Sequence, residues 1–155
     1  MDPLASNSLV QAAALVMDTN VVLDWLVFRD PSCARLGADM AAGRLRWCAT
    51  QAMRDELEQV LTRPHILVRQ ANPSATLAEW DHTVVLVAPA AESGNLRCTD
   101  PDDQKFIDLA LQLSPATLLS RDRAVLSLAR QAGQLGVDII TAAAWAAERN
   151  AKLSG

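Results

Sequence analysis

The stretch Leu15-Val16-Met17-Asp18-Thr19-Asn20 constrains the chain more than any other. A short apolar run ends abruptly in a carboxylate, a hydroxyl and an amide, and apolar residues resume at Val21, Val22, Leu23, Trp25 and Leu26. Such a run with polar groups at its C-terminal end suits a buried parallel strand that opens into a helix. In open α/β sheets, ligands sit outside the carboxyl ends of the strands, beside helix N-termini. An acid at that place has two uses: it caps the next helix, or it holds a cation or a reacting group.

The alternation continues along the chain. A strand over about 14–18 leads to a helix ending near Phe28. Asp30-Pro31-Ser32 punctuates, and a second helix runs to Gly43, which suits a C-cap. Leu45 to Ala49 is a second strand, Thr50 or Gln51 opens a third helix, and Pro64 ends it. Pro73-Ser74 starts a helical stretch through Trp80. Thr83 to Ala88, rich in β-branched residues, reads as the clearest strand of the sequence. After a loop from Pro89 to Thr99, Asp100-Pro101-Asp102-Asp103 opens a helix to about Leu113. Ala116 to Ser120 is a fourth strand and Asp122 opens a helix to about Ala132. Gly136 breaks it, Val137 to Ile140 is a fifth strand, and a last helix runs from about Ala142 to Asn150. Strands alternating with helices predict one domain over 14–150, preceded by a lead-in at 1–13. Its architecture is a three-layer α/β/α sandwich with a central parallel sheet of about five strands and right-handed crossovers.

A chain of 155 residues suits one such domain, which buries roughly 70% of its unfolded surface. The net charge of −4 argues against a strongly basic nucleic-acid scaffold. It leaves room for a basic rim, because acids held for a metal make the total negative by themselves. Cys33, Cys48 and Cys98 are widely spaced with no Cys-x-x-Cys, which reads as reduced thiols in a cytoplasmic protein. No basic segment precedes the first apolar residues, so no signal peptide is expected. The apolar zone from Leu9 to Phe28 is broken by Gln11, Asp18, Asn20 and Asp24, so no membrane span is expected either.

Three further acids stand in comparable positions. Met53, Leu57, Val60 and Leu61 form an apolar stripe at helical spacing, and Glu56 lies on its edge, while Asp55 and Glu58 point to solvent. Asp100-Pro101 has the form of an N-cap followed by Pro, with Asp102 and Asp103 in the first turn where the helix dipole favours acids. Both Asp102 and Asp103 share a face with apolar residues of that helix, and periodicity does not separate them. Asp108 falls on the opposite face and reads as solvated. Asp122 follows the fourth strand and also has the place of an N-cap. Taken together, Asp18, Glu56, Asp103 and Asp122 are able to converge at one end of the sheet. Carboxylates that meet repel by roughly 4 kcal/mol per pair at about 4 Å in a protein-like dielectric. Retained protons or divalent cations relieve that repulsion. Oxygen-only ligands suit Mg²⁺ or Mn²⁺, which activate water and stabilise the leaving oxygen of a phosphodiester.

These segments resemble the PIN-domain family. The resemblance lies in Leu15 to Leu23, in Asp55-Glu56-Leu57-Glu58-Gln59-Val60-Leu61, in Asp100-Pro101-Asp102-Asp103-Gln104-Lys105-Phe106 and in Leu118-Leu119-Ser120-Arg121-Asp122. It runs from about residue 14 to 142, in the family's order and spacing. It implies Mg²⁺- or Mn²⁺-dependent ribonuclease chemistry with Asp18, Glu56, Asp103 and Asp122 as the four acids, accompanied by Asn20 and Ser120. It also selects Asp103 over Asp102. The Asp-Pro-Asp-Asp form looks most like bacterial toxin components of VapBC-like toxin–antitoxin pairs. That likeness implies a small antitoxin partner and self-association as a homodimer or higher oligomer.

Rival readings are a housekeeping RNA-processing nuclease and a catalytically silent PIN-like module whose acids are helix caps. A phosphatase of the haloacid dehalogenase type requires a second Asp where this chain has Asn20. A receiver-like domain requires an Asp after the third strand, where Val87-Ala88-Pro89 stands. RNA contact is expected from a basic rim, with Arg54, Arg121, Arg123 and Lys105 as candidates beside Arg29 and Arg97. His65 and His82 are expected in connecting segments, and the four Trp in core or interface.

Overall fold

The computed structural model describes residues 12–70, 72–92 and 94–154, the side chains of 153 and 154 excepted. The lead-in expected over 1–13 lies almost wholly outside the described residues. Strand β1 (Ala13–Met17) leads into helix α1 (Thr19–Leu26), a 3₁₀ turn (Pro31–Cys33) and α2 (Ala34–Ala41). Strand β2 (Leu45–Ala49) is followed by α3 (Gln51–Val60), a short α4 (Pro64–Leu67), α5 (Pro73–Thr83) and β3 (Val85–Leu86). A second 3₁₀ turn (Pro101–Asp103) runs straight into α6 (Gln104–Gln112) and β4 (Ala116–Leu119). Then come α7 (Arg123–Leu126), α8 (Ala129–Gln134), β5 (Val137–Ile140) and α9 (Ala142–Ser154).

The strands form one parallel sheet in the order β3-β2-β1-β4-β5. Leu15 and Val16, successive residues that point to opposite faces of β1, are both fully buried, as are Leu118 and Leu119 of β4. Helices therefore cover both faces, as an all-parallel sheet requires. The chain winds outward from β1 through β2 to β3, then returns to the other side of β1 as β4. The reversal leaves a crevice between the carboxyl ends of β1 and β4, and the register Met17 to Leu119 brings Asp18 and Ser120 to its two sides. On one flank, Trp47 of β2 packs between Trp25 (5.6 Å between ring centroids) and Trp80 (6.1 Å), joining α1 and α5 to the sheet. The buried Trp145 completes the set of core tryptophans.

Several expectations are corrected. The strand read over Thr83 to Ala88 is only Val85–Leu86, and both residues are exposed. Helix α5 instead continues through Thr83, whose hydroxyl donates to the Glu79 carbonyl at 2.8 Å. Packing of Trp80 outweighs the β preference of the residues that follow it. The helix expected from Asp122 to Ala132 is two helices, parted where the Ser127 hydroxyl donates to the Ala124 carbonyl. His65 and His82 lie within α4 and α5 rather than between elements. Asp108 is buried, not solvated.

Gly43 and Gly136 hold positive φ at the turns into β2 and β5. A Cβ on Gly43 meets open space, whereas one on Gly136 falls 2.2 Å from the Ser114 hydroxyl, which donates to the Leu135 carbonyl. We expect Gly43→Ala to cost about 1 kcal/mol, the left-handed penalty alone. Gly136→Ala should cost about 2–3 kcal/mol. Chemical denaturation of both variants checks the order, and equal costs would show that the close approach is not felt.

Candidate active site

Each acid is placed by an element end. Asp18 follows β1 with extended backbone and caps α1, its Oδ1 accepting from the Val21 amide at 3.0 Å. Its own amide donates to the Leu119 carbonyl, which binds it to the end of β4. The hydroxyl of the fully buried Ser120 donates to Asp18 Oδ2 and accepts from the Asp122 amide at 3.1 Å. Asp122 in turn caps α7, its Oδ1 accepting from the Ala124 amide at 2.8 Å. A continuous chain of hydrogen bonds thus runs Asp122 to Ser120 to Asp18.

The facing wall comes from the turn before α6. Asp100 caps it through the Asp102 amide at 3.0 Å. Asp103 caps nothing. Its Oδ2 is buried and has no hydrogen-bond partner. Carboxylate oxygens of Asp100, Asp103 and Asp122 all lie within 4.8 Å of one another. Gln104 latches this turn to the preceding loop: its side chain accepts from the Cys98 amide at 2.7 Å and donates to the Leu96 carbonyl and to Asp108 Oδ1, both at 2.9 Å. Asp108 lies one turn on from Gln104, on the face of α6 that this loop packs against, and is buried there.

Glu56 reaches in from α3. Thr19 donates to its Oε1 at 3.0 Å, and Lys105 pairs with its Oε2. Asp18, Glu56, Asp100, Asp103 and Asp122 line one cavity of about 430 Å³, with Thr19, Asn20, Arg63, His65 and Arg121 also on its walls. Of the expected acids, Asp103 and Asp122 fall in the tight group, while Asp18 and Glu56 border it. Asp100 takes the third place. Sequence reasoning gave Asp100 only a capping role, although its spacing of three from Asp103 puts both on one side of a helical turn. Arg63 and His65 also went unnoticed as wall residues, since nothing local marks α4 as folding back over the site.

The expected basic rim is thinner than foreseen. Arg121 lines the cavity but pairs with Asp24 at 2.9 Å, and Lys105 is engaged by Glu56. Arg54 is held in a two-point bond to Asp81 at 2.7 and 2.9 Å. Arg29 and Arg97 pair with Glu79 and Glu92. Arg123 and Arg63 form no ion pair among the described residues.

A sequence model of the PIN domain matches residues 14–124, which spans β1 through the start of α7 and every acid named above. The chain belongs to the PIN-domain family. PIN domains are generally nucleases, act on RNA and typically use divalent metals. No curated protein matches the chain significantly. Among the described residues no helix is long and apolar enough to cross a membrane.

The electrostatics of this PIN domain's cavity are those of acids short of positive charge. Burial pushes the Asp103 carboxyl up to about 7, helped by the neighbouring charges of Asp122, Asp100 and Asp18, with Lys105 opposing. Burial also raises Asp18, against the lowering effect of the Ser120 and Val21 hydrogen bonds. A buried oxygen without a donor, amid like charges, is a place for a cation. Its all-oxygen surroundings suit a hard divalent ion.

Two outcomes follow. The native state of Asp103 keeps its proton between the unfolded value of 3.8 and about 7, so stability of the metal-free protein falls as pH rises through that window. Asp103→Asn should remove this slope and raise metal-free stability at pH 8 by about 1 kcal/mol, discounted for partial exposure. Denaturation across pH checks it; a less stable variant at pH 8 would mean that the carboxylate is structurally useful. Ser120→Ala strips a buried donor from Asp18 and an acceptor from the Asp122 amide. It should cost about 1–3 kcal/mol and raise the Asp18 carboxyl further, as read by carboxyl-carbon NMR titration. An unmoved titration would break the proposed link between them.

Proposed function

We propose that this PIN domain is a Mg²⁺- or Mn²⁺-dependent endoribonuclease that hydrolyses RNA phosphodiester bonds. The observation that carries the reading is the partnerless, buried Oδ2 of Asp103 within 4.8 Å of carboxylates from Asp100 and Asp122. In this reading Asp103, Asp122 and Asp18 hold the ion, with Asp100 beside them and Glu56 across the cavity. When bound, the ion supplies positive charge that acidifies water and stabilises charge developing on the phosphodiester oxygens. The chain's own groups do the rest. Asp103, its carboxyl raised to about 7 by burial, would offer the ion its partnerless Oδ2 as a carboxylate oxygen. Glu56, fixed between Thr19 and Lys105, offers a carboxylate oriented to take a proton from attacking water. Ser120 holds the Asp18 carboxylate by hydrogen bond, Asn20 stands on the cavity wall, and Arg63 and Arg121 on that wall would meet the RNA backbone.

We read the protein as the toxin component of a toxin–antitoxin pair, self-associating and working in the cytoplasm with a small antitoxin as partner. What supports this is the Asp100-Pro101-Asp102-Asp103 form together with three free cysteines. A housekeeping processing nuclease would share the same site and differ only in its RNA. The silent binding module has one observation in its favour: Asp18, Asp100 and Asp122 each cap a helix or turn. Asp103 does not, so it separates the readings.

The test is cleavage of a mixed structured RNA pool with Mn²⁺ or Mg²⁺, with and without EDTA. The wild-type chain should cut only with the metal. Asp103→Asn, still folded, should lose at least a hundredfold of that rate, the order of one electrostatic catalytic group. Full activity in EDTA or in Asp103→Asn would refute the metal mechanism. A flat calorimetric Mn²⁺ titration together with no cleavage would favour the binding module.

A further inference from the structure

Away from the acidic cavity, a second pocket of about 320 Å³ is lined by Arg35, Arg44, Arg149 and Lys152. It lies between α2, the turn into β2 and the C-terminal part of α9. Beneath it Asp39 is completely buried. Arg44 approaches Asp39 Oδ1 at 3.0 Å and Arg149 approaches Oδ2 at 3.0 Å, with Arg35 at 3.7 Å from Oδ1. Arg35 also donates to Asn150 Oδ1 at 2.9 Å, and the Arg149 guanidinium lies 5.6 Å from the centre of the Trp145 ring. The three guanidiniums are therefore held in place rather than left to wave in solvent.

A buried carboxylate needs a partner, and one guanidinium neutralises it. Here three arginines converge on a single acid, Lys152 adds a fourth cation to the wall, and among the described residues no carboxylate lines the pocket. Three guanidiniums and an ammonium repel one another, so the excess exceeds what pinning α9 to α2 requires. Guanidinium forks match the oxygens of a phosphate two at a time. Asp39 uses part of each fork and orients the rest.

We propose that this pocket binds a phosphate group, carried either by an RNA backbone or by a free phosphate-bearing molecule. It is separate from the acidic cavity and does not depend on the nuclease reading, because binding is measured without metal. Lys152 makes no ion pair among the described residues, so Lys152→Glu changes the pocket's charge without unpairing Asp39. Arg35→Gln is the second variant, since Arg35 is the most distant of the three arginines from Asp39.

The experiment follows arginine side-chain N–H signals by NMR in the full chain, in EDTA. Sodium phosphate is compared with sodium chloride at equal ionic strength, and then with a short single-stranded RNA. Phosphate should shift saturably the signals of Arg35, Arg44 and Arg149, which chloride leaves alone. Both variants should weaken that binding roughly tenfold, the size of one charge-assisted hydrogen bond. If RNA binds there more tightly than phosphate and competes with it, the source is the RNA backbone. If only phosphate binds, the source is a small molecule, and the site stands. Shifts no larger with phosphate or RNA than with chloride, or shifts indifferent to Lys152→Glu and Arg35→Gln, overturn the proposal and leave a structural pin.

Discussion

Like charges held together are the constraint on which the rest of this structure turns. Carboxylates do not gather spontaneously, and bringing several within 4.8 Å of one another costs folding free energy. The fold meets that cost by giving most of these acids a second, structural use. Asp18, Asp100 and Asp122 each spend one oxygen on a backbone amide at the start of a helix or turn. Capping typically contributes about 1 kcal/mol, so the repulsion is partly offset where it arises. Asp103 has no such use, and it carries the most strongly raised carboxyl of the group.

The sheet topology explains why the acids meet where they do. Reversal of the winding direction between β1 and β4 leaves their carboxyl ends uncovered by any crossover. Asp18 and Asp122 stand on either side of that crevice, and Ser120 ties them through one hydroxyl. The opposing wall is irregular backbone, a 3₁₀ turn whose position rests on Gln104 and the buried Asp108. Glu56 is committed at both oxygens, to Lys105 and to Thr19, so it enters the cavity as part of an ion pair. Rigid strand ends on one side and a latched turn on the other keep the cavity open.

Charge outside the cavity is organised by the same rule of pairing. Arg29, Arg54 and Arg121 each have an acidic partner on a neighbouring element, and Arg97 has one within its own loop. Such exposed pairs contribute little to stability, but they remove positive charge from the rim. The balance is reversed around Asp39, where cations outnumber the acid. Acidic and basic pockets thus lie apart on a chain whose net charge is only −4.

What the sequence by itself determined was the order of elements and the character of their ends. Short, mostly apolar runs closed by Asp18, Thr50, Ser120 and Thr141 marked β1, β2, β4 and β5 within about a residue, because burial on both sheet faces favours apolar residues. The capping roles of Asp18, Asp100 and Asp122 were legible too, since an N-cap bond is local. What only the tertiary structure decided was every choice that depends on a distant neighbour. Thr83 to Ala88 lost most of its strand because Trp80 packs on Trp47. Asp108 was buried because the loop that Gln104 latches packs over that face of α6. Asp100 and Asp103 met Asp122, and Glu56 found Lys105, through contacts that no periodicity encodes. Local hydrogen bonds and burial patterns are written within a few residues of chain, whereas a cluster of charges is fixed only when separate strand ends are brought side by side.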